Sequence, residues 1–235
     1  MHKNKKNLPV HIVMGIGWCM LALWGLVCFN RYVLMSLPLQ ARLVLSINMY
    51  LCMALGPLVV MLIAGDTWTD YLFSREKIGV QILVGIAIGA VMSLVLTLPL
   101  FLTGHGEWSD NGKHYQFLWQ YLYEIVYCVG AVALTEEFIF RGFLYRKVHV
   151  LSGSSGAAVL VSSLAFGLFH IFGGSMVQIG ITTLMGIFFC LVRSKVKNCT
   201  TLSLIIGHGL YNFLITVWVN VCRYIEAWLF MDFTY

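Results

Sequence analysis

The sequence predicts an all-α protein, a polytopic transmembrane helical bundle of about seven spans that forms a single membrane domain over residues 1–235. Three observations carry that expectation. Of the 235 residues, 60% are hydrophobic and only 11% charged, against about 45–50% and about 25% in an ordinary soluble domain; the mean hydropathy is +0.84. The apolar residues gather in runs of about 20, the length a helix needs to cross a bilayer. Lys and Arg punctuate those runs without clustering, which marks them as topology signals and argues against a nucleic-acid surface despite the formal charge of +5. So apolar a chain is not disordered, and seven scattered cysteines, an odd number, do not make a disulfide scaffold.

The first span is expected from Val10 to Phe29. It follows Lys3, Lys5 and Lys6 as a signal peptide's apolar region would. At about 20 residues it exceeds the roughly 7–15 of such a region and lacks a small-x-small cleavage site, so it reads as retained. Further spans are expected at about 43–64, 79–102, 117–140, 157–172, 175–192 and 202–221. A C-terminal helix from Cys222 to Tyr235 is either an eighth span or an interfacial helix. Arg223, Glu226 and Asp232 favour the interface, and Trp228, Phe230 and Tyr235 suit the headgroup belt. Gly104 to His114 is the one long polar loop, and all four prolines (Pro9, Pro38, Pro57, Pro99) precede residue 100. The later helices are therefore expected to be unbroken. Residues 1–102 supply N-terminal spans, and 117–219 hold the polar residues that stand inside apolar sequence.

Charge bias sets the expected orientation. With the N-terminus in the cytoplasm, inside loops hold Lys3, Lys5, Lys6, Arg75, Lys77, Arg146, Lys147, Arg193, Lys195 and Lys197, ten cations. Outside loops hold Arg31, Arg42, Lys113 and Arg223, four. The expectation is an integral multi-pass protein of the cell membrane with a cytoplasmic N-terminus.

Ionisable side chains at the centre of a span cost about 2.5–3.5 kcal/mol each, so they mark a functional interior. In Ala133-Leu-Thr-Glu136-Glu137-Phe-Ile-Phe-Arg141, Glu137 and Arg141 are four apart and form an ion pair on one helical face, while Glu136 points about 100° away. The plainer reading is that both glutamates pair with Arg141 and pin helices together. Phe166-Gly-Leu-Phe-His170 repeats the spacing, and a lone histidine in a span is more often a hydrogen-bonded packing residue than a catalyst. His208-Gly-Leu-Tyr-Asn212 aims two polar groups the same way, for which inter-helix hydrogen bonding is the plain reading. Glu124 reads as interfacial. What lifts the first two motifs is depth. Ser152-Gly-Ser-Ser-Gly156 is a turn, Glu136 lies 17 residues before Gly153, and His170 lies 17 after it. In an antiparallel hairpin, carboxylate and imidazole then meet. The Gly173-Gly174 turn follows His170 by only three residues, which sets His170 deeper than Glu136 and His208 unless that helix is short, tilted, or turned within the membrane.

A glutamate, two histidines and an asparagine in a membrane cavity are parts for acyl hydrolysis. Glu136 with His170 abstracts a proton from water, and His208 with Asn212 donates hydrogen bonds to the oxyanion. Arg141 with Glu137 holds the helix, and no cofactor is needed. The alternative is zinc held by Glu136, His170 and His208; the metal-free reading is preferred because helical His-Glu-x-x-His spacing is absent.

Glu136-Glu137-x-x-x-Arg141, Phe166-x-x-x-His170 and His208-x-x-x-Asn212, in that order on three helices, resemble the three motifs of the CPBP family of intramembrane proteases, which comprises type II CAAX prenyl endopeptidases and bacteriocin-processing enzymes and is also called the Abi family. The resemblance covers about residues 117–219. It implies an α-helical membrane endopeptidase in which Glu136 and His170 activate water, His208 and Asn212 form the oxyanion hole, and Glu137, Arg141 and Phe166 support them. It also implies a peptide or protein substrate, either a prenylated CAAX protein or a leader-bearing peptide precursor, met at the lipid bilayer. Two other classes compete: a non-catalytic regulatory or bacteriocin-immunity protein that binds a peptide or a membrane kinase, and a small transporter. The lack of an internal repeat counts against the transporter.

Overall fold

The computed structural model describes residues 5–106, 112–172 and 176–231, with side chains described to residue 225. Lys3, the Gly173-Gly174 turn, the side chains of Glu226, Trp228 and Phe230, and the residues Asp232 and Tyr235 lie outside that description. Seven long helices order the described chain: α1 (Leu8–Tyr32), α2 (Leu39–Ile63), α3 (Ile78–Leu102), α4 (118–152), α5 (Ser155–Phe169), α6 (Met176–Lys195) and α7 (Thr201–Met231). Five of them, α1, α2, α3, α6 and α7, are long and apolar enough to cross a membrane. Their outward faces are apolar, with Val13, Leu62, Leu83 and Leu184 exposed, whereas Glu124, Glu136, Glu137 and Arg141 are buried. Apolar surface around a charged interior is the arrangement a bilayer selects, and the protein is an integral membrane protein.

Pro57 offers no N–H to the carbonyl one turn back, and α2 is interrupted at Met53 and Ala54. The carbonyls exposed there are taken by α1: Cys19 Sγ donates to Met53 O at 3.3 Å and Trp18 Nε1 to Cys52 O at 2.8 Å. The later helices run unbroken, as expected, but one of them is not regular. α4 has no proline, yet it winds as π-helix over Cys128–Ala133 and again over Glu137–Leu144, with one regular turn, Leu134–Glu136, between them. Nor does a separate helix begin at Cys222, because α7 runs on without a break to Met231.

α4 and α5 form the hairpin that the Ser152–Gly156 turn foretold. Gly153 ends α4 at φ 72°, and Ser154 caps α5 by accepting from Ala157 N at 3.2 Å. Phe140 and Phe166, each 13 residues from Gly153, meet with ring centroids 5.3 Å apart, so the register follows equal distance from the turn. α5 has only 15 residues, about 22 Å at 1.5 Å per residue and less than the ~30 Å hydrocarbon layer. α7 lies against α3 and α4 through small residues: a Cβ at Gly89 would stand 2.7 Å from Gly207 O, and one at Gly209 would stand 2.6 Å from Val129 Cα.

Two cations read as loop charges are interior. Lys147 is 2% exposed, and its Nζ donates to Asp66 Oδ2 at 2.5 Å. Tyr71 donates to the same oxygen at 3.0 Å. Burial, and after it the Asp66 carboxylate, pushes the Tyr71 phenol up, so it stays a neutral donor. Arg193 is buried as well, its Nη1 donating to Arg141 O at 2.7 Å and its guanidinium lying 4.5 Å from the Tyr145 ring centre. Hydropathy counts could not see either, because a charged residue near a helix end reads as loop whether or not a partner awaits it. Asp66→Ala strands the Lys147 ammonium in an apolar site and is expected to destabilise the detergent-solubilised protein by about 3–5 kcal/mol. Asp66→Ala with Lys147→Met should regain most of that in thermal unfolding. An unchanged melting temperature in Asp66→Ala would refute the buried pair.

Candidate active site

α4 supplies the carboxylates. Glu136 closes the one regular turn and Glu137 opens the second π segment, so widened turns flank Glu136 on both sides. Such π segments interrupt helices mostly at functional sites, where they re-aim side chains. Arg141 Nη1 stands 3.1 Å from Glu137 Oε1, both side chains fully buried, which is the four-residue ion pair expected from the spacing. The guanidinium faces lie over Phe166 at 4.0 Å and Phe189 at 5.3 Å, so aromatic faces surround the cation where water would otherwise do so.

α7 brings His208 between the two glutamates. Its Nδ1 lies 2.8 Å from Glu137 Oε1 and its Nε2 3.7 Å from Glu136 Oε2, with the ring 3% exposed. Because Glu137 is ionised against Arg141, Nδ1 is the donor to it. One turn on, Asn212 is half-buried, and its amide takes no partner among the described residues.

His170 sits at the C-terminal cap of α5, half-buried. Its Nδ1 donates to Phe166 O at 2.9 Å, which leaves Nε2 with a free lone pair. No hydrogen bond or ion pair joins His170 to Glu136 among the described residues. The link is Phe166, whose ring stands edge-on to His170 at 5.0 Å and to His208 at 6.0 Å. α5 ends at Phe169, so His170 stands one residue past the helix end, against Phe166. The three residues of the zinc alternative are not gathered, since no three His, Cys, Asp or Glu side chains among the described residues stand in a metal-holding arrangement.

The segment holding these groups, residues 116–214, matches the family model of type II CAAX prenyl endopeptidases, Rce1-like. Over that segment, less than half of its length, the chain is similar to the CAAX protease (CPBP) family. No curated protein and no solved structure matches it. That likeness supports a protease with a peptide or protein substrate.

Sequence reasoning missed several residues of the site. Tyr50, from α2, donates to Glu136 Oε1 at 2.6 Å, and Phe189, from α6, lies against both Arg141 and His208. In apolar runs a tyrosine or phenylalanine carries no local signal of such a role. Glu124, read as interfacial, is buried, held by Lys113 Nζ at 2.6 Å and Tyr115 OH at 2.7 Å, so it forms a second polar centre near the residue 112–117 loop.

Proposed function

We propose that the chain is a CAAX-type protease that hydrolyses its peptide bond with water activated by Glu136 and His170, and stabilises the tetrahedral oxyanion with His208 and Asn212. The observation that carries the reading is a Glu136 carboxylate buried inside an apolar bundle with one oxygen, Oε2, facing His208 Nε2 across 3.7 Å. Glu136 takes a proton from water while the oxygen attacks the scissile carbonyl; His170 Nε2 shares that water, and the proton then passes to the leaving amine. The oxyanion receives hydrogen bonds from Asn212 Nδ2 and His208 Nε2, the latter with a proton on both ring nitrogens, since Nδ1–H is spent on Glu137. That charge state balances the cluster: Glu136 and Glu137 against Arg141 and His208. Glu137 and Arg141 act as the frame, and Phe166 spaces the two imidazoles.

The substrate is read as a lipidated CAAX-like protein or a leader-bearing peptide that reaches the site from the bilayer. The N-terminus is read as cytoplasmic in a cell membrane. The Asp66–Lys147 pair and the 3.0 Å contact of Arg146 with Asp70 support one part of this, since they join the two loop regions counted as inside at one end of the bundle. The test is cleavage of quenched fluorogenic peptides, a farnesylated CAAX peptide and a double-glycine leader, by purified protein. Glu136→Gln is expected to lower kcat by about 10²–10⁴-fold, and the wild-type rate should survive a chelator. Wild-type turnover by Glu136→Gln would sink the glutamate mechanism, and loss of activity with chelator would move the assignment to zinc.

A further inference from the structure

The family match starts at residue 116 and so excludes α2, yet α2 delivers the shortest contact to the candidate base. Tyr50 donates its phenolic proton to Glu136 Oε1 at 2.6 Å, between residues 86 positions apart. The phenol is held firmly. Its ring meets Tyr127 edge-on at 6.0 Å, and Tyr127 stacks on Tyr123 at 5.9 Å. Tyr123 in turn donates to Leu43 O at 3.0 Å, and Thr135 Oγ1 donates to Tyr50 O at 3.4 Å, so α2 is tied to α4 at Leu43 and at Tyr50 itself. The two oxygens of Glu136 are thereby made unequal. Oε1 is occupied by a short, charge-assisted bond, while Oε2 has only His208 Nε2, at a distance too long for a hydrogen bond.

We propose that Tyr50 is a positioning residue for the reaction: by occupying Oε1 it fixes the Glu136 side chain and makes Oε2 the oxygen that receives the proton of the attacking water. The inference rests on Glu136 being the base. The titratable and charged groups around Glu136 are Tyr50 from α2, Tyr127, Cys128, Glu137 and Arg141 from α4, His208 from α7, and His170 across Phe166 from α5. Of these, Tyr50 alone donates a hydrogen bond to Glu136 among the described residues. A donor to the charged form favours that form. Its loss makes Glu136 ionise at higher pH, and a stronger donor makes it ionise at lower pH.

The experiment is an infrared pH titration of the Glu136 carboxyl in the full-length protein in nanodiscs, the band being the one that Glu136→Gln removes. Tyr50→Phe is expected to raise the midpoint by about one pH unit. Incorporating 3,5-difluorotyrosine at position 50, a more acidic phenol of nearly the same shape, is expected to lower it, a reversal that loosened packing cannot produce. Tyr123→Phe, which frees α2 at Leu43 without touching Glu136, should leave the midpoint in place. Equal midpoints in wild-type and Tyr50→Phe protein, or shifts of the same sign in both Tyr50 replacements, overturn the proposal. Cleavage of the farnesylated peptide by Glu136→Gln at the wild-type rate overturns the base assignment and the positioning role with it, whatever the titration gives, so the two failures are told apart.

Discussion

Arg141→Ala should leave little folded protein in the membrane. The change removes the cation 3.1 Å from a fully buried Glu137, and stranding one partner of such a pair costs about 3–5 kcal/mol, a large part of a typical folding free energy. His208 remains on Glu137, but an imidazole proton does not replace a permanent charge sandwiched between Phe166 and Phe189. Removing both charges separates electrostatics from packing. Glu137→Gln with Arg141→Met keeps a hydrogen-bond acceptor for His208 and fills the space over Phe166, so accumulation and melting temperature should return towards wild type. If the double variant is as unstable as the single one, the loss belongs to the aromatic packing of the guanidinium and not to the buried charge.

The second large effect is expected at the proposed oxyanion donors. His208→Ala and Asn212→Ala should each lower kcat by about 10²–10³-fold on the farnesylated peptide with little change in KM, because donors aimed at a developing charge act in the transition state and not on the bound substrate. The pair sits one turn apart on α7, so both serve one small volume, and the double variant should fall well short of the product of the single losses. A rise in KM at constant kcat would make the two residues substrate-binding groups instead.

Much of the site was legible because the relevant physics is local. A carboxylate inside a run such as Ala131–Phe143 is costly wherever the run packs, so Glu136, Glu137 and Arg141 stood out before any fold was known. The Glu137–Arg141 pair needed only one turn of helix, and the α4–α5 hairpin needed only the glycine and serine of its turn. The register that brings Phe140 to Phe166 followed from counting outward from Gly153. Pairing at equal distance did not extend to Glu136 and His170, because α5 stops at Phe169 and α4 is wound as π-helix on both sides of Glu136, which changes the rise and direction that a regular helix would give.

Sequence alone determined that this chain lives in a membrane, which helices hold its buried polar residues, and which side chains are too polar for their surroundings, since each of these depends on composition or on spacing within a single helix. Only the tertiary structure decided which partners those side chains take. His208 lies between the two glutamates, Tyr50 holds Glu136, Lys147 is buried on Asp66, Arg193 on the Arg141 carbonyl, and Glu124 beneath Lys113. Each of those contacts spans helices far apart in the chain or turns on a loop that folds back, and the free energy that fixes it comes from burying a polar group beside its complement, which no single segment contains.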